Sequence, residues 1–314
     1  MNSPLFTLVD VGARGGIHPR WRRFADALRV IAIDADDQTD TAPPVEWRIA
    51  RYECIRAAAG SAPGSIDLYI TREPGCSSTL RPNRALLDKF PESERFDVVK
   101  TTTVNVLPLD YIVRDHDVDR VDFIKLDTQG SELSILKGST AALASAVGVE
   151  VEVEFLPLYE GQPLFGDVDS FLRSHGFELF DLNRAYWRYR AQPAAGRGQL
   201  VFADALYFRS ADSIGTTPGA GLRLARMVLA AAAYGYVDYA HELLTRGERQ
   251  ALTQVERDQA SSWLERAAPG GRVASLTRKM RGFGRLSQAL ARVADALRPD
   301  HWAYLDQRLG NSRK

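Results

Sequence analysis

Two stretches decide the reading of this chain: Leu5 to Gly16, LFTLVDVGARGG, and Ile31 to Asp36, IAIDAD. The first opens as an apolar run of Leu, Phe and Val, passes Asp10 and breaks into glycines, the pattern of a buried strand entering a tight turn. The second is another apolar run that ends in carboxylates. Strand, glycine-rich turn, helix, strand, acid is the sequence form of a nucleotide-binding βαβ unit. In such a unit bare backbone approaches the ligand and the acid reaches ribose hydroxyls.

The identity of the ligand turns on one side chain. A dinucleotide fingerprint needs glycine at the second position of the turn, where the pyrophosphate lies against backbone. Arg14 stands there, which counts against a nicotinamide-dependent oxidoreductase. The spacing from Asp10 through Gly12 to Gly16 fits instead D-x-G-x-x-x-G, the pattern of class I methyltransferases. These use S-adenosylmethionine, which has no phosphate to cradle.

A chain of 314 residues, 45% hydrophobic, can bury a full α/β core and carry a further unit. Cys54 and Cys76 give no disulfide framework and no metal-ligand spacing, so a reducing cytoplasmic setting is expected. The first strand begins within about five residues of the N-terminus, and no apolar run reaches the 18 or so residues of a membrane span; no export signal is expected. The net charge of zero hides an asymmetry. Gly215 to Lys314 holds 16 Lys and Arg against 9 Asp and Glu, leaving 24 against 31 for the first 214 residues. The spacing predicts two parts, 1–214 and a helical 215–314 joined by a linker at Gly215 to Gly221.

In order, Pro19 to Leu28 reads as a crossover helix. Strands are expected at Trp47 to Arg56, Ile66 to Thr71, Val98 to Val106, Val121 to Asp127, Val149 to Phe155, Phe177 to Leu182 and Leu200 to Phe208. Interleaved with helices, they argue a doubly wound sheet. Glu73 to Asn83 is a loop of small polar side chains. Beyond Pro218 no strand pattern is visible; Gly221 to Tyr234, Glu256 to Arg266, and the series Leu286, Ala289, Leu290, Val293 and Leu297 read as helices.

The series LVDVGARGG, IAIDAD, PGCSSTL, VDFIKLDTQGSEL and VEVEF resembles the FkbM family of S-adenosylmethionine-dependent methyltransferases over Leu5 to Arg209. The resemblance implies a seven-stranded, Rossmann-like class I fold with the last strand antiparallel, plus a C-terminal α-helical extension. It implies O-methylation of a hydroxyl on a sugar, glycan or glycosylated natural product. Asp10, Gly12, Gly15 and Gly16 would wrap the cofactor's amino-acid portion and Asp34 would hold its ribose. The cofactor-binding set is completed by Ala13 and Arg14 in the turn, Ala35 and Asp36 beyond the second strand, and Ser78 in the polar loop. The family's D-x-E-G-x-E appears as Asp127, Thr128, Gln129, Gly130, Ser131, Glu132, with Gln129 replacing an acid.

Methyl transfer needs an aligned hydroxyl and a base. Ligands of open α/β sheets lie beyond the carboxyl ends of the strands, so Asp127 is the first candidate base and Glu154 the second; Asp127 as a mere helix cap is the alternative. Glu150, Glu152 and Glu154 alternate with valines and so share one strand face, and Glu152 is expected to pair with Lys125. No metal is expected, although magnesium between Asp127 and Glu154 stays open. Tyr186, Trp187 and Arg188, in an aromatic and basic connector, are expected to meet the acceptor. No nucleic-acid partner is expected. Arg272, Arg278, Lys279, Arg281, Arg285 and Arg292 suit domain packing, a homo-oligomer or a peripheral membrane contact. A binding module that keeps the fold without turnover is the rival outside catalysis.

Overall fold

The computed structural model describes residues 5–35, 45–191, 198–214, 219–250, 252–267 and 302–305. Asp36, the basic cluster from Arg272 to Arg292 and the apolar series from Leu286 to Leu297 lie outside them.

The glycine turn follows β1 (Phe6–Val11), and the acidic run closes β2 (Leu28–Asp34). Beyond them come β3 (Arg51–Arg56), β4 (Ala58–Gly60), β5 (Gly64–Thr71), β6 (Val98–Pro108), β7 (Phe123–Leu126), β8 (Gly148–Glu154), β9 (Phe177–Trp187) and β10 (Gln199–Arg209). The last, β11, is Ala303–Leu305. The main sheet runs β11-β9-β10-β8-β7-β1-β2-β3. From β3 to β8 all neighbours are parallel; β10 is antiparallel to both β8 and β9.

The sheet has eight strands, not the expected seven. The addition is β11, which pairs antiparallel with the outer edge of β9. Three residues carry no readable periodicity, and the strand exists because β9 offers it a ladder. Strands β4, β5 and β6 form a separate three-stranded sheet, so two of the segments read as members of the main sheet, Ile66 to Thr71 and Val98 to Val106, lie outside it. The exposed pattern of β6 and of the first half of β5 reflects this position.

Between β1 and β2 the chain makes a 3-10 helix, Pro19–Ala27, where an α-helix through Leu28 was expected. His18 caps it, its Nδ1 accepting from the Arg20 amide at 3.1 Å. Three residues per turn stack Trp21 and Phe24 on one side, and both are buried. Leu28 is released to open β2.

The two sheet faces have different covers. One carries Val9, Val11, Ile31, Ile33, Leu126 and Val151, packed against Ile112, Leu143 and Leu172 of the helices Leu109–Asp115, Thr140–Ser145 and Phe165–Ser174. On the other, Phe6, Leu28, Val30, Phe123 and Phe208 meet Trp21 and Phe24. A short crossover cannot cover that face alone. The C-terminal helix Ala220–Ala233 completes it, buried along nearly its whole length, with Trp21 edge-on to both Phe123 and Tyr234 at 5.5 and 5.9 Å. Arg226 of this helix, 1% exposed, reaches Asp122 at 3.5 Å. Helices Val237–Gln250 and Gln254–Ala267 pack outside it. Among the described residues no helix is long and apolar enough to cross a membrane.

Candidate active site

The glycine turn and the tip of β7 interlock. Gly12 takes φ +76°, and a Cβ placed on it would lie 1.9 Å from the Asp127 carbonyl oxygen. The amides of Gly12 and Ala13 donate to the Ile33 carbonyl at 2.9 and 3.3 Å, while the Asp127 amide donates to the Val11 carbonyl at 3.1 Å. Bare backbone at Gly12 thus serves a neighbouring strand. Gly15 and Gly16 also have positive φ, and Gly15 has open space where a side chain would stand. Ala13 is buried and Arg14 exposed. Asp34 and Ala35, half-buried, stand at the tip of β2 on the same rim.

The face that carries Asp10 is polar toward this rim. Asp10, Lys125 and Glu150 are Cα partners across β1, β7 and β8, so their side chains share a face. Lys125 Nζ lies 3.2 Å from Asp10 and 3.7 Å from Asp127. Glu152, expected to take Lys125, instead accepts from Gln129 Nε2 at 2.7 Å. Burial pushes the Asp10 carboxyl up to about 6, although the Lys125 ammonium opposes the shift. Burial works against the charge on Lys125, but Asp10, Asp127 and Glu150 outweigh it and hold the ammonium protonated. Glu150 accepts from Tyr234 Oη and lies 3.3 Å from Arg20, whose guanidinium sits 4.3 Å over the Tyr234 ring.

The loop after β7 is built around Glu132. Its carboxylate accepts from the Thr128 amide at 2.7 Å, the Thr128 hydroxyl at 2.9 Å and the Gly130 amide at 2.8 Å. Glu132, not Asp127, therefore closes this turn. Gln129 takes a left-handed φ of +59°, which turns its amide toward β8. There Nε2 donates to Asp127 Oδ1 at 3.2 Å as well as to Glu152, and Oε1 faces the Tyr159 hydroxyl at 3.1 Å. Ser78 supports the same loop: its hydroxyl donates to the Gln129 carbonyl at 2.7 Å and accepts from the Leu80 amide at 3.0 Å. The Asp127 side chain keeps 40% of its surface open. Glu154 is 2% exposed, and its Oε1 has no hydrogen-bond partner among the described residues. Burial, then Glu132 and Asp127, push its carboxyl well above the usual range.

A family model described as the methyltransferase FkbM domain matches residues 10–179, more than half of the chain. The protein belongs to the FkbM methyltransferase family. It is an S-adenosylmethionine-dependent methyltransferase. Among solved structures it is similar to the magnesium protoporphyrin IX methyltransferase of Synechocystis PCC 6803 with bound S-adenosylmethionine. The identity is 11% and the TM-score 0.33, over 66% of this chain and 71% of that one. A candidate DNA modification methyltransferase encoded within an E. coli prophage gives 9% identity and a TM-score of 0.32, over 68% of this chain and 49% of that one. No curated relative matches the chain.

The rim of this FkbM domain fits its cofactor. Open space over Gly15 leaves bare backbone facing outward, and Asp34 stands one residue past the carbonyl that anchors the turn. Asp10 is already engaged by Lys125, so it shapes the floor beneath the turn. The FkbM acid replaced by Gln129 would have stood among Asp127, Glu152 and Tyr159; the amide supplies two donations where a carboxylate would add a third charge. Tyr186 and Trp187, expected in a connector, belong to the end of β9, which runs parallel to β8 and so ends on the same rim as Glu154. Trp187 is 3% exposed in a cluster with Phe90, Phe96 and Trp302, Tyr186 stacks on Tyr304 at 5.5 Å, and the Arg188 guanidinium sits 5.5 Å over Tyr304. Those flat faces are used by the chain's own β11 segment. Among the described residues no three His, Cys, Asp or Glu side chains converge as metal ligands.

Two polar residues that sequence reasoning passed over sit on the same face. Asp204 on β10 is the Cα partner of Glu152, and Asn183 on β9 that of Asp204. Asp204 stands alone between apolar neighbours of β10 and pairs with the VEVEVE run, whereas Asn183 stands in β9 among Glu178, Asp181 and Arg184.

Proposed function

We propose that the protein is an O-methyltransferase acting on a hydroxyl of a sugar, glycan or glycosylated natural product, with Asp127 as general base. The observation that carries the reading is the state of Asp127: half-open at the rim beside Gly12, and fixed by a Gln129 donor and the Lys125 ammonium. Glu154, sealed from solvent, is the weaker candidate.

When bound, S-adenosylmethionine supplies an electrophilic methyl group. The Gly12 to Gly16 backbone would hold its amino-acid portion and Asp34 its ribose. The Lys125 ammonium lies 3.7 Å from the Asp127 carboxylate, and Gln129 restrains its rotation. An acceptor hydroxyl hydrogen-bonded to Asp127 is thereby oriented, and its proton has a destination as the new bond forms.

The test is methyl transfer from isotope-labelled S-adenosylmethionine to a panel of hydroxylated sugars, with the methylated atom located by NMR. Label on oxygen supports the reading. Label on carbon or nitrogen overturns it.

A further inference from the structure

Away from the glycine turn, the polar face holds hydrogen-bond acceptors that lack matching cations. Glu152 on β8, Asp204 on β10 and Asn183 on β9 form one row of Cα partners, so all three project from the same face. Gln129 Nε2 donates to Glu152 at 2.7 Å and Asn183 Nδ2 donates to Asp204 at 2.9 Å. Both donors are neutral amides, which occupy an oxygen without cancelling a charge. The two cations of this face are engaged: Lys125 with Asp10 and Asp127, Arg20 with Glu150. Among the described residues neither Glu152 nor Asp204 has an ion pair.

Asn183 supplies a separate observation. It is only 6% exposed, its amide lies against Asp204, and its Oδ1 has no hydrogen-bond partner among the described residues. A buried acceptor left without a donor costs about 1 to 3 kcal/mol. Carboxyl groups without an ion pair and an amide oxygen without a donor, side by side among the described residues, suit a group that is at once cationic and rich in N–H. A metal ion meets this poorly, because no three acids converge. The cofactor is also too far away. Asp204 is three strands from β1, about 14 Å at the usual strand spacing of ~4.8 Å, while the glycine turn and Asp34 lie on β1 and β2.

We infer that this row is the acceptor subsite, and that the acceptor carries a protonated amine seated between Glu152 and Asp204, with Asn183 Oδ1 taking one of its hydrogens. The substrate class is then an amino sugar or an amine-bearing glycoside. This rests on the O-methyltransferase reading above and specifies what that reading leaves open. Glu152 and Asp204 bind and do no chemistry; Asp127, two residues before Gln129, acts on a hydroxyl of the same molecule.

Titration calorimetry on the full chain saturated with S-adenosylhomocysteine provides the test, with 2-amino-2-deoxyglucose, its N-acetyl form and glucose as probes. The amine is expected to bind at least about tenfold more tightly than the other two, the advantage of a charge-assisted hydrogen bond. Glu152→Gln and Asp204→Asn should each erase that advantage. Both keep an acceptor oxygen for Gln129 or Asn183, and unchanged S-adenosylhomocysteine affinity certifies the fold. Equal affinity for all three probes, or no binding of the amine, overturns the subsite even without the variants. Magnesium binding that vanishes in Asp204→Asn overturns it as well, by giving the row to a metal. O-methylation of neutral sugars with no preference for the amine sinks this inference and leaves the O-methyltransferase standing, whereas methyl transfer to nitrogen or carbon sinks the reading beneath it.

Discussion

Asp127 and Asp204 are both carboxylates on the rim side of the sheet, and their neighbours give them opposite tasks. Asp127 has an ammonium and an amide beside it and remains open to solvent. Asp127→Asn keeps shape and most hydrogen bonding, so S-adenosylmethionine affinity should stay within about twofold while turnover falls about a hundredfold or more. Calorimetry beside single-turnover rates checks this, and near-wild-type turnover would remove Asp127 from the chemistry. Asp204 has a neutral amide partner, and burial, then Glu150 and Asp127, push its carboxyl up to about 6 from an ordinary 3.8. A carboxyl raised on folding contributes stability that is fully present below about pH 4 and is lost as pH rises through 6. Asp204→Asn should therefore reduce the stability gained by the parent between pH 7 and pH 5, leaving the share of Asp10, whose carboxyl is raised to the same value, read as urea midpoints at the two values. Identical slopes would show that Asp204 is not the responsible group. Of these residues, Asp127 was legible in the sequence because it ends an apolar run and opens a glycine-bearing loop. Asp204 and Asn183 were not, because one polar residue in a strand looks the same whether it faces water or a buried row.

At the scale of elements, the close approach of β1 and β7 makes the cofactor turn and the base one piece. Gly12→Ala combines a left-handed φ with a Cβ 1.9 Å from the Asp127 carbonyl, so the tip of β7 must move. We expect a loss of at least about 2 kcal/mol and weakened S-adenosylmethionine binding, measured by urea unfolding and calorimetry. A stable variant with parental affinity would mean that the two strand ends are not coupled. The runs that became β1, β2, β7 and β8 were readable because a strand buried on both faces is apolar throughout, or polar at every second residue where one face turns polar. The separate β4-β6-β5 sheet was not, since periodicity shows that a strand exists but not which sheet receives it. Nor was the 3-10 helix, whose Trp21 and Phe24 are three apart, a spacing that suits an α-helix equally well.

Across the whole molecule, the C-terminal helices finish the face on which the chemistry is placed. Tyr234, immediately after Ala220–Ala233, donates to Glu150, which adjoins Lys125 in the polar row. Tyr234→Phe leaves that buried carboxylate short of a donor, at a cost of about 1 to 3 kcal/mol, and should lower the melting temperature by a few degrees. Unchanged melting would show that Arg20 alone satisfies Glu150. The apolar, alanine-rich composition of this helix announced burial, but nothing in it named the 3-10 crossover and the sheet face as its seat. β11 carries a consequence of a different kind. β9 is eleven residues long, and without a neighbour its outer side would be a bare ladder on which another chain could polymerise. Among the described residues, Ala303–Leu305 is what pairs with that side, opposite Ala185 to Trp187, so loss of these three residues would turn a self-limiting sheet edge into a template for growth.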